Sequence, residues 1–398
     1  MKILQINSVC GIGSTGRIAT DIHQLLVKSG HESVIAYGRG EAKSCDHTIK
    51  IGNNFDILLH VFKTRFFDLH GFGSKRATKK FVQTVLQLDP DLIHLHNLHG
   101  YYLNIEILFE YLRRAKKPVV WTLHDCWPFT GHSAFIEEGK ESAPLKGRES
   151  VHEYPKSYFI DNSKRNYQNK KRIFTGLENV TVVTPSEWLK TLVKKSFLKE
   201  YEVKVIRNGV DLNIFKPVPG NFRSRYGIEN KFVILGVANV WEERKGLKYF
   251  FELSKRISRD EMIVLVGLSD KQMKNLPGNI IGIRKTNDIH ELVQIYTAAD
   301  VFVNPTLEDN FPTTNIEALA CGTPVVTFDT GGCGEIVAED CGRVVPKGDL
   351  EKLFDAVQNI KEQGKNVFTG NCIVRAQRNF NKNDRYKEYI QLYGEKLK

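Results

Sequence analysis

Short apolar runs alternate along this chain with longer segments whose apolar residues recur at helical spacing. In the first half, strand-like runs are expected at Ile3 to Asn7, Ser33 to Tyr37, a stretch ending in His94 and His96, Pro118 to Leu123, Val180 to Thr184 and Val203 to Ile206. Helical periodicity fills the intervals, at Arg17 to Lys28, Phe55 to Leu69, Thr78 to Leu88, Asn104 to Ala115, Ser163 to Phe174 and Leu189 to Phe197. The second half repeats the alternation. Its strands are expected at Phe232 to Val237, Met262 to Val266, Asn279 to Ile283, Asp300 to Asn304 and Val325 to Phe328. Its helices are expected at Leu247 to Ile257, Ile289 to Ala298, Ile316 to Ala320, Leu350 to Ile360 and Asp384 to Leu397. All-apolar strands separated by helices predict parallel sheets covered on both faces, an α/β protein. Pro217, Pro219 and Gly220 mark a linker between the two series. We therefore expect domains at 1–208 and 209–378, with a terminal helical segment at 379–398.

Two places in this pattern invite chemistry. The first strand runs into Gly11-Ile-Gly13-Ser-Thr-Gly16, a G-x-G-x-x-G between strand and helix. Alone it suits a dinucleotide site. The second strand ends in Tyr37-Gly38-Arg39, without the acid an NAD ribose wants but with an arginine that suits a 2′-phosphate. The second place is Leu307 to Phe328, where Glu308, Asp309 and Asn310-Phe-Pro precede a helix, a Cys-Gly-Thr-Pro turn and a buried strand. A helix start points unpaired amides at whatever lies before it, a ready phosphate site. Thr313, Thr314 and Asn315 would line that start, with Glu317 in the first turn. A competing structural reading makes Thr314 and Glu317 a capping box. Two carboxylates bracketing a phosphate-accepting helix start suit a ligand with hydroxyls and a diphosphate, as in a nucleotide sugar.

Three further histidines fall at strand ends. His94 and His96 share a strand face, and acceptor-site or packed roles suit them better than a metal, since no third ligand is spaced for one. His124-Asp125 ends another strand, where open α/β sheets place ligands. The irregular stretch Phe129 to Ile160 has the length of a lid or an acceptor-binding segment.

Composition narrows the field. The 398 residues are 41% hydrophobic and 26% charged, as in a globular protein, and no apolar run approaches the roughly 20 residues of a membrane span. Seven cysteines without a Cys-x-x-Cys pair read as free thiols of a cytoplasmic protein. The net charge of +11 asks for anionic partners, with basic residues gathered in the first half, at Lys75 to Lys80, Arg113 to Lys117, Lys164 to Arg172 and Lys190 to Lys199. Without interleaved aromatics these do not make a nucleic-acid groove, and an anionic membrane face, contacted peripherally from the cytoplasmic side, ranks first.

The stretch from Asp309 to Glu317 resembles the acid-x7-acid motif of the retaining family-4 (group 1) glycosyltransferases. The glycine loop, Asn208-Gly-Val-Asp211 at the hinge and Lys245-Gly246 resemble that family in order along nearly the whole chain. The resemblance implies the GT-B fold, two Rossmann-like domains facing a cleft, with the last helix crossing back to the first. It implies transfer, with retention, from a nucleotide-sugar donor to a glycan acceptor, which the basic first domain makes a lipid-linked one, as in colanic-acid-like surface polysaccharides. No cofactor or metal is expected. By resemblance Glu317 holds the donor ribose, Asp309 or Glu308 faces the sugar, and His124 contacts it. Lys245 grips the diphosphate, with Arg244 standing in for an arginine the family places upstream. Gly13 and Gly16 let the backbone approach the diphosphate or the acceptor, Gly267 and Arg284 lie near the base, and His96 and Asp125 belong to the acceptor side. A nucleotide-sugar 2-epimerase of similar architecture, an NADP oxidoreductase and a non-catalytic sugar- or polyanion-binding protein are the rival readings.

Overall fold

The computed structural model describes residues 1–136, 144–147, 151, 154–274 and 276–398. Residues 137–143, 148–150 and 152–153, within the long irregular stretch, lie outside the described residues, and so does that part of the expected lid or acceptor-binding segment. The chain forms two compact units. The first comprises Met1–Arg207 with Tyr386–Lys398, the second Asn208–Arg385.

In the first unit the elements follow as β1 (Lys2–Asn7), α1 (Gly13–Lys28), β2 (Glu32–Tyr37), β3 (Thr48–Lys50), α2 (Asn54–Phe67), α3 (Lys75–Leu88) and β4 (Leu92–Leu95). Then come α4 (Ile105–Ala115), β5 (Val119–Thr122), α5 (Ser163–Phe174), β6 (Val180–Thr184), α6 (Glu187–Lys195) and β7 (Glu202–Val205). The strands make one parallel sheet in the order β3-β2-β1-β4-β5-β6-β7. The strand period of two sorts the core. Leu4, Ile6, Ile93, Leu95, Val119, Trp121 and Val182 face the cluster built with α3, α4 and α5. Ile3, Leu92, Val120 and Val183 face α1 and a layer of Tyr386, Tyr389, Leu392 and Tyr393 from the end of the chain. α1 begins at Gly13, four positions before the expected Arg17, because the glycine loop itself forms its first turn.

The second unit runs α7 (Phe222–Tyr226), β8 (Phe232–Val237), α8 (Leu247–Ser254), β9 (Glu261–Val266), α9 (Asp270–Met273), β10 (Ile280–Ile283), α10 (Ile289–Ala298) and β11 (Val301–Asn304). It continues with α11 (Thr313–Ala320), β12 (Val325–Asp329), α12 (Cys333–Ile336), β13 (Gly342–Pro346), α13 (Leu350–Gln363) and α14 (Lys365–Phe380). Its parallel sheet has the order β10-β9-β8-β11-β12-β13, so chain direction across the sheet reverses between β8 and β11. The crevice beyond the carboxyl ends of two such strands is where open α/β sheets bind ligands. The segments entering and leaving this unit run side by side: Val210 N–H donates to the Phe380 carbonyl at 2.9 Å and Lys382 N–H to Val210 at 3.1 Å. The last helix, α15 (Lys382–Lys396), starts there and ends in the first unit, whose share begins at Tyr386.

Candidate active site

In the second unit, the loops after β8 and β11 meet. β8 ends in a short turn carrying Arg244 and Lys245, and β11 delivers Pro305 to Asn310. Gly246 has φ +74, and a Cβ there would stand 2.0 Å from the Pro305 carbonyl oxygen. Gly331, at φ +56, would put a Cβ 1.8 Å from the Asp309 carbonyl oxygen. Only glycine fits either position, so the acidic loop is pressed between two backbone turns. Leu307 N–H donates to the Arg244 carbonyl at 2.7 Å, and Gly332 N–H to the Asn310 carbonyl at 3.1 Å.

Within this clamp Lys245 Nζ donates to Asp309 Oδ2 at 2.5 Å. Arg244 Nε donates to Glu242 at 2.9 Å and Nη1 to the Glu308 carbonyl at 3.2 Å, which ties this arginine to the acidic loop beside Lys245. Of the two adjacent acids, Asp309 is the one whose side chain meets the lysine.

α11 starts at Thr313 with Pro312 as its N-cap and no side-chain cap. The capping-box reading therefore fails, since Thr314 is already inside the helix. Glu317 is the fifth helical residue rather than a first-turn residue, buried, with Oε2 accepting from Tyr296 Oη at 3.0 Å. Asn315 faces inward too, its Oδ1 accepting from Asn304 Nδ2 at 2.7 Å. Thr313 and Thr314 stay half-buried at the helix start. Gly322 ends the helix as expected: its N–H reaches Leu319 O at 2.9 Å while Thr323 N–H reaches Ala318 O at 3.0 Å. Gly267 follows β9, and its N–H donates to the Ile283 carbonyl at 2.8 Å. Arg284 is exposed and paired with Asp270 at 2.8 Å.

The first unit gathers its own polar group at the carboxyl ends of β1, β4 and β5. Gln5 Nε2 donates to the Ala19 carbonyl at 3.1 Å, which turns Oε1 toward His96 Nε2, also at 3.1 Å. His96 Nε2 thus carries the proton and its Nδ1 is the lone-pair nitrogen. His124 Nε2, 3.1 Å from that Nδ1, must then be the donor, and its ring stacks on His96 at 5.4 Å. Burial lowers His124 to about 4, against an opposing pull from Asp125, so the ring is neutral near pH 7. His96 is likewise held well below the ordinary histidine value by burial.

Asp125 is held by its own partners. Its Oδ2 accepts from His99 Nε2 at 2.6 Å and its Oδ1 from the Trp127 backbone N–H at 3.1 Å. Burial alone would raise this carboxyl; His99, the Trp127 N–H and His124 outweigh burial and leave it lowered. His94 is a structural residue: its Nδ1 accepts from Tyr393 Oη at 2.6 Å, and its Nε2 donates to Thr122 Oγ1 at 2.7 Å, which donates to Tyr389 Oη at 3.1 Å. Gly13 sits exposed in the first turn of α1 with open space around its Cα, whereas Gly16 is buried against Val9, where a Cβ would stand 3.0 Å from a methyl. Gly16 serves the packing of helix on strand.

Sequence reasoning passed over Gln5, Tyr296 and the role of His99. Gln5 left a signal, an amide inside an otherwise apolar strand; Tyr296 left none, being one more ring in an amphipathic helix. No group of metal-binding side chains occurs among the described residues.

Comparison with known sequences draws these parts together. The profile described as Glycosyltransferase Family 4 matches residues 15–214, and that described as Glycosyl transferases group 1 matches residues 231–363. The chain belongs to glycosyltransferase family 4. This glycosyltransferase is 24% identical over 420 residues, 99% of each chain, to WcaC of Escherichia coli (strain K12), a protein assigned as a glycosyl transferase of colanic acid biosynthesis. It is 26% identical over 221 residues, 50% of this chain and 56% of the other, to an Escherichia coli UDP-Gal:alpha-D-GlcNAc-diphosphoundecaprenol alpha-1,3-galactosyltransferase. Among solved structures it resembles Anabaena HepE in complex with UDP-glucose, with a TM-score of 0.70 at 17% identity over 99% of this chain and 100% of that one. Sucrose-phosphate synthase from Thermosynechococcus elongatus gives a TM-score of 0.73 at 18% identity over 99% of both. The fold is GT-B, with two Rossmann-like units.

Proposed function

We propose that this glycosyltransferase moves a sugar from a nucleoside diphosphate donor to a hydroxyl of a lipid-linked glycan, with retention of configuration and without a metal, in building a surface polysaccharide. The observation that carries the donor half is the Lys245 and Asp309 pair, set where the order of the second sheet reverses and one short loop ahead of the start of α11. A cation and uncapped helix amides suit a diphosphate, and the buried carboxylate of Glu317, steadied by Tyr296, suits ribose hydroxyls. Asp309, and Glu308 beside it, stand where a donor sugar would follow.

His124, neutral and held through Nε2 by His96, suits contact with the donor sugar. Retention is supported by the commitment of Asp125: the carboxylate nearest His124 in sequence, and the one that an inverting base would need, is engaged by His99 and Trp127. The leaving phosphate then takes the acceptor proton. The lipid carrier is argued from the net charge of +11 and from the diphosphoundecaprenol acceptor named for the galactosyltransferase relative. No helix among the described residues is long and apolar enough to cross a membrane. On this reading the carrier is met peripherally, at the cytoplasmic face.

The test has two parts. Thermal shift with UDP, GDP and NADPH should show stabilisation by a nucleoside diphosphate, and stabilisation by NADPH alone overturns the reading. NMR of the product's anomeric centre should show the donor's configuration kept.

A further inference from the structure

The periodicity of α2 marks an amphipathic helix, and the structure turns it the opposite way from the usual arrangement. Its buried residues are His60 and Thr64, while Phe55 is 71% exposed, Leu58 66%, Phe62 47% and Phe66 37%. These lie along one stripe at helical spacing. The polar interior is well made: His60 Nε2 accepts from Gly71 and Gly73 N–H, both at 3.2 Å, and its Nδ1 lies 2.9 Å from Ser74 Oγ. The outward apolar face is therefore fixed by the helix's own inner bonds.

A second segment extends that face. Tyr158 N–H donates to the Arg65 carbonyl at 2.8 Å and Asn162 Nδ2 to the Phe67 carbonyl at 2.8 Å, which lays residues 158–162 along the end of α2. Phe159, 71% exposed, stacks on Phe66 at 4.8 Å, and Phe66 is near Phe62, which stacks on it at 4.4 Å. Among the described residues of the first unit, the exposed large apolar side chains gather on α2 and residues 154–160, with Val27 and Leu86 the others. Lys63, Arg65 and Lys156 are interspersed with this face. At the adjoining start of α3, where Ser74 meets His60 of α2, Lys75, Arg76, Lys79 and Lys80 are exposed.

We propose that this face is the lipid-contacting surface of the enzyme: Phe55, Leu58, Phe62, Phe66 and Phe159 enter the interface of an anionic bilayer, and the flanking lysines and arginines meet its phosphates. An aromatic stripe with cations beside it matches such an interface in both its apolar and its charged layers. The inference rests on the membrane-side reading of the acceptor given above and assigns it an element.

Cosedimentation of the full chain with phosphatidylcholine vesicles, with and without phosphatidylglycerol, tests it, comparing the wild type with Phe62→Ser/Phe66→Ser and with Lys63→Ser. UDP binding and thermal melting confirm that each variant is folded. Preferential binding of the wild type to the anionic vesicles is expected, with at least about a tenfold loss in the double phenylalanine variant. Lys63→Ser should lose about fivefold, and only at low salt. Equal binding by the wild type and the phenylalanine variant overturns the assignment to α2 and leaves the membrane reading standing. No vesicle binding by the wild type overturns both. A concentration-dependent dimer of the wild type that the double variant abolishes, in place of vesicle binding, assigns the face to a second copy of the chain.

Discussion

Lys245 and Asp309, 64 positions apart in sequence, share a 2.5 Å contact that joins the turn after β8 to the loop after β11. On the proposed function, a diphosphate bound here would compete with Asp309 for the lysine, coupling donor capture to the placement of an acid beside the sugar. Lys245→Ala should lower kcat/KM by roughly 100-fold or more, the size seen when one preorganised donor to a developing anion is removed. Lys245→Arg should recover part of it. Steady-state kinetics measure both, and a loss under threefold would place the diphosphate elsewhere.

Glu317 and Tyr296 should act on binding rather than on the chemical step. Glu317→Ala is expected to raise the donor KM with a smaller change in kcat. Tyr296→Phe removes one hydrogen bond to a carboxylate, about 1.5 kcal/mol, and should weaken UDP binding roughly tenfold. Calorimetric titration with UDP reads this directly. A Tyr296→Phe variant that binds UDP as the wild type does would mean the carboxylate needs no such support.

For His124 the expected loss is in turnover. His124→Ala should reduce kcat while leaving UDP affinity near the wild-type value. Because burial lowers this histidine to about 4, the acid limb of the kcat/KM profile should lie near there and not near the ordinary histidine value. The assay is a brief pH jump from neutral stocks. A limb close to about 6.5 would assign the titration to another group.

The first unit should also be acid-labile. Burial lowers His60 to about 3 and His124 to about 4, and holds His70, His94 and His96 well below their ordinary value. The unfolded chain binds protons at these sites from about pH 6.5 downward, while the folded chain does not. Stability is thus complete above that pH and falls as pH drops, by up to about 1.4 kcal/mol per pH unit for each group, levelling only below the folded values. Melting followed from pH 7.5 to 5 should show the loss, and a flat curve would refute the neutral, buried assignment.

On the proposed function EDTA should leave transfer unchanged, with Lys245 and the α11 amides supplying the positive charge near the diphosphate. Loss of activity restored by magnesium would reverse that.

Much of the architecture was legible because parallel strands buried on both faces must be apolar throughout. Val180–Thr184, Phe232–Val237 and the helices Ser163–Phe174 and Ile289–Ala298 lie where the pattern puts them. α14 was missed: Gly370 and a run of polar residues interrupt its periodicity, and packing against α11 supplies what propensity lacks. At α11 the sequence suggests Thr314 as the N-cap whereas the helix is entered from Pro312, and that two-residue difference decides whether Glu317 caps the helix or turns inward to Tyr296. For α2 the pattern announces a helix with an apolar stripe, but nothing local says which side the sheet will cover. His124 and Asp125 are neighbours in sequence and part company in space, because the two adjacent side chains diverge, one toward His96 and one toward His99.

The bonds from Tyr393 and Tyr389 to His94 and Thr122 set a schedule for biosynthesis. β1 to β7 leave the ribosome early, yet the cluster of Ile3, Ile18, Ile22, Leu92, Val120 and Val183 is completed by Tyr386, Tyr389, Leu392 and Tyr393, which emerge after nearly all of the second unit. During that interval the nascent first unit carries an uncovered apolar face, a target for holding chaperones. The second unit, although later in sequence, has its own core complete within Asn208–Arg385 and can finish folding first.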